Sequence, residues 1–346
     1  MCSFPSLDWL KLSSNNLSGE LSLSLQNCTS LSTLDIGDNR FSGNIPEWIG
    51  GSHLSLSELR MRANMFSGKI PERLCRLSHL HILDLAQNNL SGSIPPCLGN
   101  LSGLTSLTSY GSLPSSLHLY YTPMMDLVMK GRQMQYTSTL ELVNIIDLSS
   151  NNLWGRIPED LTNLSTLGTL NLSRNQLTGN IPQKIGGLQR LETLDLSSNH
   201  LSGPIPTSMS SITSLNHLNL SYNNLSGPIP STNQFQTFID PSIYEGNSEL
   251  CGPPLSAECH SPNDGDGDVE DKDEDETEDK LDKLWFYLSI GLGFIVGFWT
   301  VFGSLVIKKS WRHAYFRFLD KVKDWLFVVI AINMARARRM MEMNRS

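Results

Sequence analysis

Leu164 to Pro206 reads LSTLGTLNLSRNQLTGNIPQKIGGLQRLETLDLSSNHLSGPIP. One unit is written there nearly twice, with Asn175 answered by Asn199 one period later and Gly179 and Gly203 each standing four positions after its Asn. The unit recurs toward both ends of the chain. Its Asn is found at Asn15, Asn39, Asn64 and Asn88, then at Asn151, and again at Asn223. Most steps repeat the interval from Asn175 to Asn199; that from Asn39 to Asn64 is longer by a single position, and that from Asn88 to Asn151 is more than twice as long. Apolar residues precede each Asn by eight, five and three positions, as Leu80, Leu83 and Leu85 precede Asn88. Seven of the eight units run on into Ile-Pro, such as Ile45-Pro46 and Ile205-Pro206.

Self-similarity at this period predicts a solenoid. The L-x-L step is a short strand with alternate residues facing in and out. Its leucines stack on the same leucines of the next coil, because no single coil can bury its own apolar face. The Asn stands where the chain leaves the strand, and its amide can satisfy backbone groups that would otherwise be buried unpaired. Pro fixes φ and removes a donor, so Ile-Pro suits an extended outer segment. The unit is a leucine-rich repeat. The expected fold class is α/β: a leucine-rich-repeat solenoid with parallel strands on the concave face, an irregular or 3-10 convex side, and one transmembrane helix. Strands are expected at Leu7–Leu12, Leu31–Ile36 and onward to Leu215–Leu220.

The long step marks a break. Repeats occupy 1–103, an island 104–142, and four further repeats 143–231. The island holds Tyr120, Tyr121 and the basic VMKGRQMQY stretch with Lys130 and Arg132. Long irregular segments in compact arrays are usually functional, so the island is read as a specific insertion. A cap is expected at 232–263, with Cys251 and Cys259 as a disulfide. Cys75 and Cys97 lie in adjacent coils and suit a disulfide or reduced thiols equally; Cys2 and Cys28 show no evident partner. Met1 opens almost directly on the first repeat, without a basic or apolar leader, which reads as the C-terminal part of a longer protein or as a truncated reading of its gene.

Charge is unevenly spread. Residues 1–263 carry 13 basic and 19 acidic side chains, residues 264–283 carry 3 and 12, and residues 308–346 carry 10 and 3. Between the last two blocks lies 284–307, an apolar run without a single charged side chain. At 1.5 Å per residue it spans roughly 36 Å, enough for a hydrocarbon core. Acid before it and base after it place the repeats outside and the tail in the cytosol, as a single-pass membrane protein. This excludes an ordinary soluble enzyme and argues against a nucleic-acid surface. The acidic block is a solvated spacer. The apolar run carries Gly293 and Gly297 four apart, a spacing that lets helix backbones approach. The short tail, 308–346, holds no nucleotide loop, and its arginines can meet anionic membrane lipid.

Histidines fall at repeat positions without triad or metal spacing, so no enzyme, metal or cofactor is expected. Outward positions on the concave face are the better binding surface. Most carry repeat filler such as Asp84 and Asp147; the unusual ones are Trp9, Lys11, Glu58, Arg60, Arg62, Arg174, His217 and Tyr222. Glycosylation acceptors occur at Asn16, Asn27, Asn89, Asn100, Asn163, Asn171, Asn219 and Asn224; Asn171 and Asn219 fall on strands.

The order of segments, with VNIIDLSSNNLWGRIPE (143–159) and KLWFYLSIGLGFIVGFWTVFGSLVIKKSWRHAYFRFLDKVKDWLFV (283–328), resembles the plant receptor-like proteins of the leucine-rich-repeat class, and most of all the receptors for ethylene-inducing xylanase. The resemblance implies perception of an extracellular protein or peptide, often microbial, by a receptor without its own kinase. It implies signalling through an adaptor receptor-like kinase and a co-receptor kinase. It also implies a partner interface at Gly293 and Gly297, an endocytosis motif at Tyr315 and Phe318, and a co-receptor region in the island and last four repeats. A developmental peptide co-receptor shares the architecture. An inhibitor of secreted cell-wall hydrolases uses such repeats too, but needs neither span nor tail.

Overall fold

The computed structural model describes residues 6–51, 54–105, 124–137 and 139–259. Eight parallel strands form one sheet: Trp9–Lys11, Thr33–Asp35, Glu58–Arg60, Ile82–Asp84, Ile145–Asp147, Thr169–Asn171, Thr193–Asp195 and His217–Asn219. Each is half the expected length, because the chain turns out of the sheet directly after the second outward side chain. The middle residue of each strand faces the core. Leu34, Leu59, Leu83, Ile146, Leu170 and Leu194 are fully buried and stack coil on coil. The sheet runs straight across the island: Ile82 pairs with Ile145, Leu83 with Ile146 and Asp84 with Asp147.

The repeat Asn ties successive coils together. Asn175 Nδ2 donates to the Leu148 carbonyl of the preceding coil at 3.0 Å and to Leu172 and Ser173 carbonyls of its own at 3.1 and 3.2 Å. Its Oδ1 accepts from the Leu153 amide at 3.0 Å. Buried at 7% exposure, it has partners for both ends of its amide. The residue just before each Asn takes a left-handed conformation, for example Ala63 at φ 52° and Gln87 at φ 54°. Arg174 and Tyr222 hold that position at φ 54° and 55°. They therefore stand in the turn that leaves the sheet, which corrects their expected place on the concave strands.

The segment after each Asn forms a second parallel sheet of nine strands, from Ser18–Gly19 to Glu249–Cys251. The repeat Gly closes that strand at positive φ; at Gly68, φ 76°, a Cβ would also overlap Asn44 Oδ1. The convex side is a series of 3-10 turns, and no α-helix occurs among the described residues. The Pro of Ile-Pro caps these turns, as Pro71 does at φ −65° before Glu72–Arg76. Coils touch closely there. A Cβ on Gly50 would overlap the Arg73 carbonyl of the next coil.

The C-terminal cap is a ninth, degenerate rung. Asn247 Nδ2 donates to Leu220, Tyr244 and Glu245 carbonyls, and its Oδ1 accepts from the Leu225 amide. Phe235, Phe238, Tyr244 and Leu250 close the core beneath it. Cys251 and Cys259 are bridged with Cα atoms 5.1 Å apart. Cys75 and Cys97 are bridged too, at 5.7 Å, joining adjacent coils. Cys28, whose partner is not evident from the sequence, is disulfide-bonded.

Among the described residues no helix is long and apolar enough to cross a membrane. The apolar run with Gly293 and Gly297, the acidic spacer, the tail with Tyr315 and Phe318, and Tyr120 and Tyr121 lie outside the described residues.

Candidate functional site: the concave face and its strap

The third residue of each concave strand forms a row of charge. Across the sheet it reads Lys11, Asp35, Arg60, Asp84, Asp147, Asn171, Asp195 and Asn219. Arg60 Nη1 stands 3.0 Å from Asp35 Oδ1, its Nη2 2.6 Å from Asp38 Oδ2 and its Nε 3.8 Å from Asp84 Oδ2. Arg62, two residues on, places Nη1 3.0 Å from Asp147 Oδ2 and 3.5 Å from Asp84 Oδ1. His81, just before the strand Ile82–Asp84, donates from Nδ1 to the Val143 carbonyl at 2.7 Å, and its Nε2 faces Glu58 Oε1 at 3.2 Å. Glu58 Oε2 also accepts from the Thr33 hydroxyl.

These groups are not a solvated face. Glu58, Arg60 and Arg62 are 7%, 2% and 8% exposed, and Asp35, Asp84 and Asp147 are 1% exposed. The expectation of Glu58, Arg60 and Arg62 on an open binding surface is corrected: they are committed to buried partners. Burial works against the Arg60 cation, but the field of Asp35 and the hydrogen bonds to Asp38 and Asp35 outweigh it and raise its pKa. Burial pushes the Asp84 carboxyl up to about 7, and the Asp147 charge adds to the push, while Arg62 and Arg60 pull it down.

The island supplies a hairpin. Met125–Met129 pairs antiparallel with Arg132–Tyr136 around Lys130-Gly131, at φ 53° and 69°. Two positive φ angles make the tight turn that matches strand twist. The hairpin belongs to neither solenoid sheet. Met125 and Leu127 bury themselves on Ile82, Ile145, Leu140 and Val143, in a cluster separate from the main core. Ile82 and Ile145 are outward strand positions, so the hairpin is seated on the concave face. One end is held by Lys11, whose Nζ donates to the Met124 carbonyl at 2.8 Å. The tip is held by Lys130, whose Nζ is 3.2 Å from Glu192 Oε2. Tyr136 has its pKa raised, by burial first and by the Glu192 charge second. From the strand of Lys11 to that beside Glu192 is six strand spacings, roughly 29 Å. An extended run from Met124 to Lys130 covers about 20 Å, and the two lysine side chains span the rest.

The island's Lys130 and Arg132 and the concave Lys11 thus lie along one strap, with Lys11 and Arg132 exposed. Trp9 and His217 sit at opposite ends of the sheet, each partly buried. Tyr222 is 54% exposed in its turn. Of the glycosylation acceptors, Asn89 and Asn224 are exposed at the start of second-sheet strands and Asn16 just ahead of one, and Asn27, Asn100 and Asn163 are exposed at the ends of 3-10 turns. Asn171 and Asn219 are partly buried on concave strands, each accepting from the amide and hydroxyl of the serine two residues on. Periodicity could not have shown the seat of Met125 and Leu127, although their alternation is a strand signal.

Residues 141–201 match the family described as Leucine rich repeat, and 30–52, 79–101 and 214–242 match that described as Leucine Rich Repeat. The chain is 50% identical over 325 residues to Receptor-like protein EIX2 of Solanum lycopersicum, and 51% identical over 333 residues to Receptor-like protein EIX1 of the same plant. Either match covers 91% of this chain, which spans 32% of the length of each relative. Among solved structures, the Arabidopsis receptor kinase HAESA in complex with the peptide hormone IDA and the co-receptor SERK1 is similar at TM-score 0.51 and 36% identity. That match covers 75% of this chain and 40% of the other. Its repeats and its identity to EIX1 and EIX2 place the chain in the family of plant leucine-rich-repeat receptor-like proteins.

Proposed function

We propose that the chain is a cell-surface receptor-like protein whose repeats meet an extracellular peptide or protein and whose signal passes through partner receptor kinases. The observation that carries this reading is the identity of 50% to a receptor-like protein over 91% of the chain. A peptide ligand and a co-receptor kinase are supported by the likeness to HAESA, which was solved with both. The chain itself contributes binding rather than catalysis. The repeats face outward from a plasma membrane crossed once by 284–307, and the tail lies in the cytosol near anionic lipid.

The strap divides the concave face. Glu58, Arg60 and Arg62 build the platform under and around it, so direct contact with a ligand falls to Lys11, Lys130, Arg132 and the open end of the sheet around His217. Arg174 and Tyr222 flank that end from the turns. Tyr120 and Tyr121 belong to the same island and join this surface in the proposal. Gly293 and Gly297 form the membrane contact with an adaptor kinase, and Tyr315 and Phe318 direct internalisation.

A second reading is perception of a developmental peptide hormone, favoured by the likeness to the HAESA–IDA complex. Affinity capture of the full-length protein from plant membranes separates the two. Defence perception predicts a microbial secreted protein bound to the repeats; the second reading predicts an endogenous peptide. Recovery of neither ligand nor kinase from a correctly surfaced chain would reject both.

A further inference from the structure

We infer that the hairpin Met125–Met129/Arg132–Tyr136 is a strap that opens and closes over the concave face as one unit, independently of the solenoid beneath it. This does not rest on the receptor reading.

The first ground is its hydrogen bonding. The two strands pair with each other along their whole length and form a sheet of their own. Among the described residues no backbone–backbone hydrogen bond joins the hairpin to the solenoid, and the polar ties are the bond from Lys11 to the Met124 carbonyl and the Lys130–Glu192 ion pair. The hairpin can therefore lift with its ladder intact, and both solenoid sheets lose nothing of theirs.

The second ground is the small seat. Met125 and Leu127 pack in a small buried cluster that is separate from the solenoid core. Lifting the hairpin uncovers that cluster and leaves the apolar core of the solenoid as it is. Segments with few buried apolar contacts and little shared backbone bonding open at free energies well below global unfolding.

The third ground is the latch. The far end rests on Lys130 and Glu192, whose side chains are 40% and 49% exposed. A half-exposed ion pair is a weak, salt-screened tie, worth a few-fold in an equilibrium. The strand Arg132–Tyr136 adds little hold, because all of it before Tyr136 is exposed. Opening would present Ile82 and Ile145 in the middle of the concave sheet, next to the row of Arg60, Asp84 and Asp147. That strip is apolar, flanked by charge, and closed to any ligand while the strap is down.

Hydrogen exchange on the full chain in detergent micelles tests the strap. The hydrogen-bonded amides of the hairpin should exchange together, at least about tenfold faster than those of Ile146, Leu170 and Leu194 in the concave sheet. Lys130→Glu, repelled by Glu192, should speed hairpin exchange about two- to fivefold and leave the sheet unchanged. Adding Glu192→Lys to Lys130→Glu should restore the original rate. Carbodiimide coupling of Lys130 to Glu192 should slow the hairpin toward the rate of the sheet. Hairpin and sheet exchanging at one rate, with Lys130→Glu affecting both alike, would mean a fixed part of the fold and overturn the inference. Uncorrelated, residue-by-residue exchange insensitive to both the substitution and the coupling would overturn it as well.

Discussion

Arg62 and Asp147 are 85 residues apart in the chain, yet Arg62 Nη1 stands 3.0 Å from Asp147 Oδ2. The contact joins the coil of Glu58–Arg60 to the first coil after the island, across the intervening strand of Asp84. It depends on the sheet closing over the long step from Asn88 to Asn151 as though the island were not there.

The consequence for stability is direct. Arg62→Met leaves Asp84 and Asp147 buried side by side with one cation fewer. Breaking one side of a buried pair costs about 3–5 kcal/mol. Chemical denaturation of Arg62→Met should show a loss of that order. Arg62→Met with Asp147→Leu should lose clearly less, since no buried charge is then stranded.

Stability should also depend on pH through Asp84. Its carboxyl is raised by burial to about 7 in the folded protein, from an ordinary value of 3.8. Between those values the folded state binds more protons than the unfolded one, so the contribution is complete in acid and is lost as pH rises through about 7. Denaturation midpoints of the wild type should therefore be higher at pH 5 than at pH 8. Asp84→Asn should flatten the difference. A wild type with equal midpoints at both values, unaffected by Asp84→Asn, contradicts the burial argument.

The Asn rungs should be individually costly. Asn175→Ala strands the Leu153 amide and removes the donor to the Leu148, Leu172 and Ser173 carbonyls. Each buried group left unpaired costs about 1–3 kcal/mol. A loss of at least about 3 kcal/mol is expected by equilibrium unfolding. Asn152→Ala, on an exposed neighbour, should lose under about 1 kcal/mol.

The repeat array was legible in the residues themselves. The positions before Asn88 and Asn151 showed that the two halves belong to one array, and the core leucines follow from that alignment. Asn247 was legible in principle, since it lies one full period after Asn223. It was missed because Cys251 replaces the Gly of the unit and Ser242 replaces its middle apolar residue. Arg174 and Tyr222 were misplaced because each stands three positions after the last outward residue of its strand, Asn171 or Asn219, off the period-two register and in a left-handed turn. The burial of Arg60 and Arg62 could not be read locally. It depends on contacts between coils that only the assembled sheet creates.

Glycosylation should follow the two environments of its acceptors. Asn16, Asn27, Asn89, Asn100, Asn163 and Asn224 are exposed and should carry glycans. Asn171 and Asn219 face the concave side with their amide oxygens already engaged by Ser173 and Ser221, and should be bare. Glycopeptide mass spectrometry of the chain from plant membranes reads both sets. Full occupancy at Asn171 and Asn219 would contradict the concave placement.

The receptor account is tested most directly by quantitative recovery of receptor kinases with the full chain from solubilised plant membranes. The comparison is with Gly293→Leu plus Gly297→Leu at equal surface level. The account predicts a receptor kinase recovered with the wild type, and less of it with the double variant, because added side-chain volume separates the helix backbones. A glycosylated, surface-exposed chain that brings down no kinase above the background would contradict it.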